Sequence, residues 1–198
     1  GTLTHFAAPP VLMVSKAWSW DTPFMFKHFG YKALVAILLS TFFYAALLKN
    51  ELLKPIDKNL RKFSYRWSFK GPVLVSLFLS GLIILGSMQA WWLKALLVNL
   101  SEHLLFIGAA GLTSITDNAS LTYLGTLVDL SASAKYALVA GAVSGGGLTV
   151  IANAPNLVGF GILRGSFGPE GINPIQLFLW AIIPTIIALA CFFLLPNL

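Results

Sequence analysis

Three long apolar runs constrain this chain more than any other feature. They cover residues 31–48, 72–92 and 175–195, and each holds 18 to 21 residues with at most one charge. A helix rises about 1.5 Å per residue, so a run of about 20 residues crosses the hydrocarbon core of a bilayer. Charged residues make up only 10% of the chain, far below the share in soluble domains. The runs therefore predict an all-α polytopic membrane protein, multi-pass in the lipid bilayer of the plasma (inner) membrane, and exclude a cytosolic enzyme.

The positive charge of the chain is concentrated in one segment. The net charge is +6, and residues 49–70 contribute +5 of it, with seven basic and two acidic side chains. Loops rich in Lys and Arg stay on the cytoplasmic side of a membrane. We therefore predict that residues 49–71 form a basic cytoplasmic loop between an inward-running helix at 31–48 and an outward-running helix at 72–92. Because a cytoplasmic loop explains the positive charge, we predict no nucleic-acid partner.

Two further apolar stretches are interrupted by helix-breaking residues. Residues 136–165 contain three successive glycines at 145–147 and the sequence Asn-Ala-Pro-Asn at 153–156, while residues 113–134 are rich in Ser, Thr and Gly. Polar backbone freed by a broken helix has to be buried in protein or line a cavity. Broken helices therefore indicate a transport site. The segment 113–134 is either a re-entrant hairpin or a crossing helix, and 175–195 is the final helix.

A short internal repeat accompanies these breaks. Residues 1–12 align without gaps onto 146–157 with six identities in twelve positions, and the same offset of 145 carries 31–48 onto 176–193. A breaker motif followed by a membrane helix thus occurs twice. We expect inverted repeats, with 1–48 ending the first repeat, 72–198 forming the second and the C-terminus opposite the basic loop. Residues 94–145 precede the second copy, and no corresponding segment precedes the first. We therefore expect a missing N-terminal half of the same protein.

The motifs resemble those of a known family. GTLTHFAAPPVLMV at 1–14, SITDNASLTYLG at 114–125 and AGAVSGGGLTVIANAPN at 140–156 are similar to the putative sodium/proton antiporter family of the ion transporter superfamily. The resemblance implies inverted repeats with hairpins and broken helices, and a mobile transport domain beside a dimerising scaffold, hence a homodimer. Carried over by motif, the second-repeat site falls on Asp117-Asn118 and 153–156. The first-repeat break falls on Thr4, His5, Pro9 and Pro10.

Asp117 is the strongest candidate for an ion-binding residue. An ionisable group within a membrane segment is costly and is by default a functional hypothesis. Its carboxylate can hold Na⁺ when ionised and H⁺ when protonated, which is the competition that an antiporter requires. The alternative is that Asp117 only caps the helix that starts near Ser120, which is a common role of Asp.

Neutral oxygens near Asp117 complete the predicted site. Na⁺ favours oxygen ligands from side chains and unwound backbone, so we predict that Asp117, Asn118 and Asn153 hold Na⁺. Pro155 lacks a backbone N–H and can free a carbonyl, and His5 can titrate near neutral pH. The full set of predicted ion-binding residues is Asp117, Asn118, Thr149, Asn153, Pro155, Asn156, Thr4 and His5. Helix-to-helix hydrogen bonding is the alternative role of the Ser, Thr and Asn side chains, and we favour it for Ser120 and Thr122.

The remaining polar residues point away from enzymatic chemistry. Glu102 and His103 are adjacent, which is no metal-ligand spacing, so we interpret them as interfacial charge, with a proton relay as the alternative. The sequence offers no nucleophile–base pair and no phosphate loop, so we predict no enzyme activity and no cofactor beyond Na⁺ and H⁺ as transported ions. The predicted function is Na⁺/H⁺ antiport by alternating access. The alternatives are a carrier of an anion such as a carboxylate or arsenite, or a non-transport membrane subunit.

Overall fold

The computed structural model describes residues 1–53, 69–86, 99–163 and 171–198, together with single positions 88, 91, 92, 95, 97 and 167. Within these ranges the chain is helical and contains no strand, which confirms the all-α class. Most of the predicted loop 49–71, and positions 87, 89 and 90 of the run 72–92, lie outside the described residues.

The helices are short where the sequence is interrupted and long where it is uniformly apolar. In chain order they are α1 (Pro9–Ala17), α2 (Thr22–Met25), a π-helical turn (Phe26–Gly30), α3 (Tyr31–Leu47), α4 (Lys49–Leu52), α5 (Lys70–Gly86), α6 (Glu102–Thr113), α7 (Asn118–Thr126), α8 (Ala132–Gly145), α9 (Ala154–Leu163) and α10 (Pro174–Leu194).

Two helical stretches of the described chain are long and apolar enough to span a bilayer. The first is the continuous stretch Thr22–Leu47, with mean hydropathy 1.6, and the second is α10, with mean hydropathy 2.6. They contain the predicted runs 31–48 and 175–195 almost entirely. Asn173 caps the start of α10, where its Oδ1 accepts hydrogen bonds from the backbone N–H groups of Ile175 and Gln176. Pro184 lies inside α10 without ending it.

Helix α8 is the centre of the packing. It lies most extensively against α6, and it also contacts α7, α10 and α1, while α3 packs on α10 and α1 on α7. Gly141 and Gly145 allow the close approach to α6. A Cβ on Gly141 would lie 2.1 Å from the carbonyl oxygen of Phe106, and one on Gly145 would lie 2.3 Å from that of Ala110. Small residues one turn apart are the usual means by which membrane helices approach closely.

The predicted interruption of 136–165 is present. α8 ends at Gly145, α9 begins at Ala154, and the eight residues between them are not helical. The glycines of the triplet differ in role, because Gly145 packs against α6, Gly146 faces the side-chain amide of Asn118, and Gly147 has open space around it. The sequence allows the triplet either close helix packing or an unwound turn and favours the turn; Gly145 has the packing role.

The two copies of the internal repeat share local structure. At the offset of 145, the first residue of α1, Pro9, corresponds to the first residue of α9, Ala154. Ahead of each helix the matching Ala bonds to the matching Thr, but through different acceptors. The Ala7 N–H donates to the Thr4 carbonyl oxygen at 3.3 Å, and the Ala152 N–H donates to the Thr149 side-chain Oγ1 at 3.2 Å. The residues of α3 map onto positions inside α10.

Candidate ion-binding site

The carboxylate of Asp117 joins the starts of two helices. Its Oδ1 accepts hydrogen bonds from the N–H groups of Ala119, at 2.8 Å, and Ser120, at 3.2 Å, so it caps α7. Its Oδ2 accepts from the N–H of Ala154, at 2.8 Å, which is the first residue of α9. Helix N-termini leave unpaired N–H groups and carry partial positive charge, so an anionic side chain is stabilised at both ends. The capping interpretation of Asp117 is therefore correct, and it extends to a second helix 37 residues away.

Two unpartnered amide oxygens lie beside this junction. The Asn118 side chain is 3% exposed, and its backbone N–H donates to the Ala152 carbonyl oxygen at 3.0 Å. Within the described part of the chain, Oδ1 of Asn118 and Oδ1 of Asn153 are buried without a hydrogen-bond partner. Each residue is the sequence neighbour of one end of the Asp117–Ala154 hydrogen bond. Buried polar atoms are nearly always paired, so each such atom requires an explanation.

Thr149 and Asn156 hold the interrupted segment in shape. The Asn156 Nδ2 donates to the carbonyl oxygens of Gly146, at 2.8 Å, and Thr149, at 3.0 Å. The Thr149 Oγ1 donates to the Ser114 carbonyl oxygen at 2.7 Å. These bonds satisfy backbone groups that the missing helical turns leave unpaired. Both side chains act here on the backbone of the break.

Pro155 lies in the first turn of α9, one residue after its start. A proline at this position loses no helical hydrogen bond, because the N–H of a first-turn residue has no partner within its own helix. Pro155 therefore does not cause the break, and the expectation that it frees a carbonyl for an ion stays a prediction. The interruption arises before it, at residues 146–153.

Asp117 opens onto a cavity of about 740 Å³ between α5, α7 and α9. Most of the lining is apolar, from Leu74 on α5 to Ile162 on α9. The polar groups in the lining are Thr116, Asp117 and Ser120. A polar group set into an otherwise apolar concave surface is the usual composition of a small-ligand site.

The first-repeat candidates lie elsewhere in the described structure. The His5 Nδ1 is 2.7 Å from Thr22 Oγ1, and its ring packs edge-on against Phe6. Thr4 provides the carbonyl of the turn before α1, Pro9 begins that helix and Pro10 is buried in it. Across the described residues, no hydrogen bond joins Thr4 or His5 to the Asp117 group, so their part in an ion site stays a prediction.

The sequence did not reveal the backbone groups that bind the Asp117 carboxylate and the Asn118 backbone N–H. The Ala152 carbonyl and the Ala154 N–H belong to residues without polar side chains, and only the bend before α9 presents them to α7. Among the described residues, no group of three or more His, Cys, Asp or Glu side chains could hold a metal ion. Glu102 is exposed and accepts a hydrogen bond from the Ser133 hydroxyl.

A scan against protein-family models matches the family described as "Putative Na+/H+ antiporter" over residues 1–68 and again over 55–195. The chain belongs to this family. Membership indicates a membrane transport protein rather than an enzyme, in agreement with the two helical stretches that could span a bilayer. No curated protein and no solved structure matches the chain.

Proposed function

We propose that this protein is a secondary active transporter that exchanges Na⁺ for H⁺ by alternating access. Membership of the antiporter family supports transport, and the geometry at Asp117 supports the choice of ions. In this proposal the Asp117 carboxylate binds Na⁺ in one state and H⁺ in the other. Asn118 and Asn153 supply neutral oxygen ligands to Na⁺.

The observation that carries the proposal concerns the sequence neighbours of Asp117 and Ala154, which share a hydrogen bond. Among the described residues, Oδ1 of Asn118 and Oδ1 of Asn153 are buried without a hydrogen-bond partner. Hard cations favour carboxylate and carbonyl oxygens, and unwound backbone carbonyls and half-helix C-terminal ends coordinate Na⁺ in transporters. In this proposal the two amide oxygens are ligands of Na⁺.

A cation fits this site better than an anion. Helix N-termini are good anion sites because they present free N–H groups. Here the N–H groups of Ala119, Ser120 and Ala154 already donate to Asp117. A transported carboxylate or arsenite would have to displace that carboxylate and then lie beside it, which like-charge repulsion opposes.

The arrangement in the membrane is part of the proposal. The matching starts of α1 and α9 support two repeats, which we place as 1–48 and 72–198 on either side of the loop 49–71. An inverted pair would bring the two breaks together near the bilayer midplane. We also propose a multi-pass homodimer in the plasma membrane.

Vesicles that contain the full-length protein test the function. Addition of external Na⁺ should drive protons across the membrane, followed by a pH-sensitive dye inside the vesicles. Li⁺, K⁺ and a carboxylate salt serve as parallel additions. Proton movement that follows the carboxylate and not Na⁺ would replace antiport by the anion alternative.

Substitution of Asn153 by Ala should weaken Na⁺ binding more than folding. The variant loses one ligand oxygen, which has no hydrogen-bond partner among the described residues. We therefore expect the Na⁺ concentration for half-maximal exchange to rise roughly tenfold, while the free energy of unfolding falls by less than about 1 kcal/mol. Asn99→Ala is the matched control, because Asn99 is exposed and its side-chain amide donates to the Ala95 carbonyl. Equal half-maximal concentrations in the two variants would remove Asn153 from the site.

Substitutions of Gly146 and Gly147 test the role of Asn118 without changing Asn118 itself. A Cβ on Gly146 would lie 2.4 Å from Asn118 Nδ2, whereas a Cβ on Gly147 meets nothing within 4 Å. Gly146→Ala should therefore displace the Asn118 amide and weaken Na⁺-dependent exchange roughly tenfold, since small misplacements of a ligand cost much of its effect. Gly147→Ala should exchange at the parent rate. A Gly146→Ala protein with unaltered Na⁺ dependence would contradict a ligand role for Asn118.

Topology tests the inverted repeat. Reporter tags fused at Leu198 and inserted at Lys58 should lie in opposite compartments, with the tag at Lys58 in the cytoplasm, because loop 49–71 carries the positive charge. Protease protection in oriented vesicles distinguishes the two sides. A shared compartment would exclude the inverted arrangement.

A further inference from the structure

Lys32 is a buried lysine without an acidic partner. It lies in the first turn of α3, inside the membrane-length stretch Thr22–Leu47, and only 2% of its surface is exposed. Its Nζ donates hydrogen bonds to Tyr136 Oη, at 2.8 Å, and to Asn197 Oδ1, at 2.9 Å. Nζ also lies 4.7 Å from the centroid of the Tyr136 ring. All of these partners are neutral, and no ion pair of Lys32 occurs in the part of the chain that the structure describes.

This environment is costly for a fixed charge. A buried ammonium group requires compensation by hydrogen bonds and by an opposite charge. Among the described residues only hydrogen bonds and the rings of Tyr136 and Tyr31, whose centroids lie 4.7 Å and 6.0 Å from Nζ, provide it. Release of the proton leaves a neutral amine and so removes the free-energy cost of burying a charge. Ionisable residues at membrane depth are therefore functional candidates, often as members of proton pathways.

Both partners of Lys32 line a cavity that contains titratable side chains. The cavity has a volume of about 410 Å³, and Tyr136 and Asn197 lie in its wall with His28, Glu102 and His103. His28 Nδ1 is 3.0 Å from the Phe24 carbonyl oxygen, so Nδ1 carries the proton of that bond. In the neutral ring Nε2 is then left as a proton acceptor. Glu102 and His103 are exposed, so the cavity connects Tyr136 to the surface.

The elements around Lys32 provide few competing groups. On α3 the neighbouring Tyr31 has a buried hydroxyl, which lacks a partner among the described residues. The helix packed most extensively on α3 is α10, whose titratable side chain is the buried thiol of Cys191. On α8, Lys135 points away and lies over the Trp18 ring. The π-helical turn carries His28, and also Lys27, which is exposed.

We propose that Lys32 is a proton-exchange site of the transport cycle, separate from the Asp117 group, and that it takes up and releases its proton through the cavity lined by Tyr136, His28, Glu102 and His103. This inference rests on the proposed antiport function. On release, one N–H bond of the ammonium group breaks and its electron pair stays on Nζ, while the proton binds a water molecule in the cavity and passes from it to an imidazole or carboxylate there. The π-helical turn Phe26–Gly30 directly before α3 is consistent with such a role, because π turns within helices are frequent at functional sites.

Two substitutions of Lys32 test the proposal in vesicles with the full-length protein. Lys32→Arg keeps the charge but cannot release a proton at physiological pH, and Lys32→Met removes the proton while nearly keeping the length. Each variant is measured for Na⁺-driven proton movement and for exchange of radiolabelled Na⁺ against unlabelled Na⁺ at equal pH on both sides. Lys135→Arg is the matched control, one residue from Tyr136 but outside the cavity wall.

We expect both Lys32 variants to lose Na⁺-driven proton movement roughly tenfold or more and to keep Na⁺/Na⁺ exchange within about twofold, because Asp117 and its amides are unaltered. The control should match the parent in both measurements. Proton movement at the parent rate in either Lys32 variant would overturn the proposal. Equal loss of both exchanges in both variants would also overturn it, because it would assign Lys32 a structural role.

The two proposals fail in different ways. If the parent protein moves no protons when Na⁺ is added, Na⁺/H⁺ antiport is refuted by the parent alone. If the parent exchanges Na⁺ for H⁺ and Lys32→Arg does so equally well, antiport stands and only the role of Lys32 is refuted.

Discussion

Asp117→Asn should abolish Na⁺/H⁺ exchange while the protein still folds. The amide keeps an oxygen that can accept from Ala119 and Ser120, so the cap of α7 is retained. Its nitrogen would face the N–H of Ala154 and lose that bond, at a cost of about 1–2 kcal/mol in stability. We expect exchange to fall roughly a hundredfold or more, since an amide carries no charge for Na⁺ and cannot exchange a proton. The measurement is the exchange rate against external Na⁺ in vesicles at matched protein content.

Asp21→Asn is the control for this substitution. Asp21 is exposed and also caps a helix, with its carboxylate accepting from the N–H of Phe24 at 2.8 Å. The same chemical change there should leave exchange at the parent rate. If Asp117→Asn exchanges nearly normally while Asp117→Ala loses only about 1 kcal/mol of stability, Asp117 is a cap and no more.

Among substitutions that add one methyl group to the described helices, Gly141→Ala should lower the free energy of unfolding the most. The new Cβ would lie 2.1 Å from the carbonyl oxygen of Phe106 and 3.0 Å from Ala109 Cβ. The first neighbour is backbone, so relief requires α6 and α8 to move apart. Overpacking of this kind costs about 1–3 kcal/mol and often more, and it should lower the melting temperature of the purified protein in detergent.

Gly108→Ala is its matched control on α6. A Cβ at Gly108 meets nothing within 4 Å, and alanine is the better helix former by up to about 1 kcal/mol. We expect equal or slightly higher stability. Similar melting temperatures for the two variants would contradict a tight α6–α8 contact at Gly141.

The sequence predicted the features that depend on local composition. The runs at 31–48 and 175–195 are helices because they hold no residue that stops a helix, apart from Pro184, which α10 accommodates. The interruption after Gly145 was predictable because glycine and proline cluster there. The capping role of Asp117 followed from a carboxylate directly before a helix-forming segment.

Contacts between distant segments were not predictable in the same way. The bond from Asp117 to Ala154 joins residues 37 apart, and the bonds of Lys32 to Tyr136 and Asn197 join residues 104 and 165 apart. Lys32 was counted as one charge at the start of an apolar run, and its burial depends on how α3 packs on α10 and α8. The packing role of Gly145 likewise depends on α6, which no pattern around the glycine triplet reveals.

The double cap at Asp117 ties the state of one side chain to the spacing of two helices. A carboxylate accepts hydrogen bonds about twice as strongly as a neutral acceptor does, so any event that neutralises it weakens the starts of α7 and α9 at the same moment. In the proposed function, ion occupancy and helix separation are then one variable rather than two. If the carboxylate changes its hydrogen-bond partner, the strength of the contact between the starts of α7 and α9 changes as well.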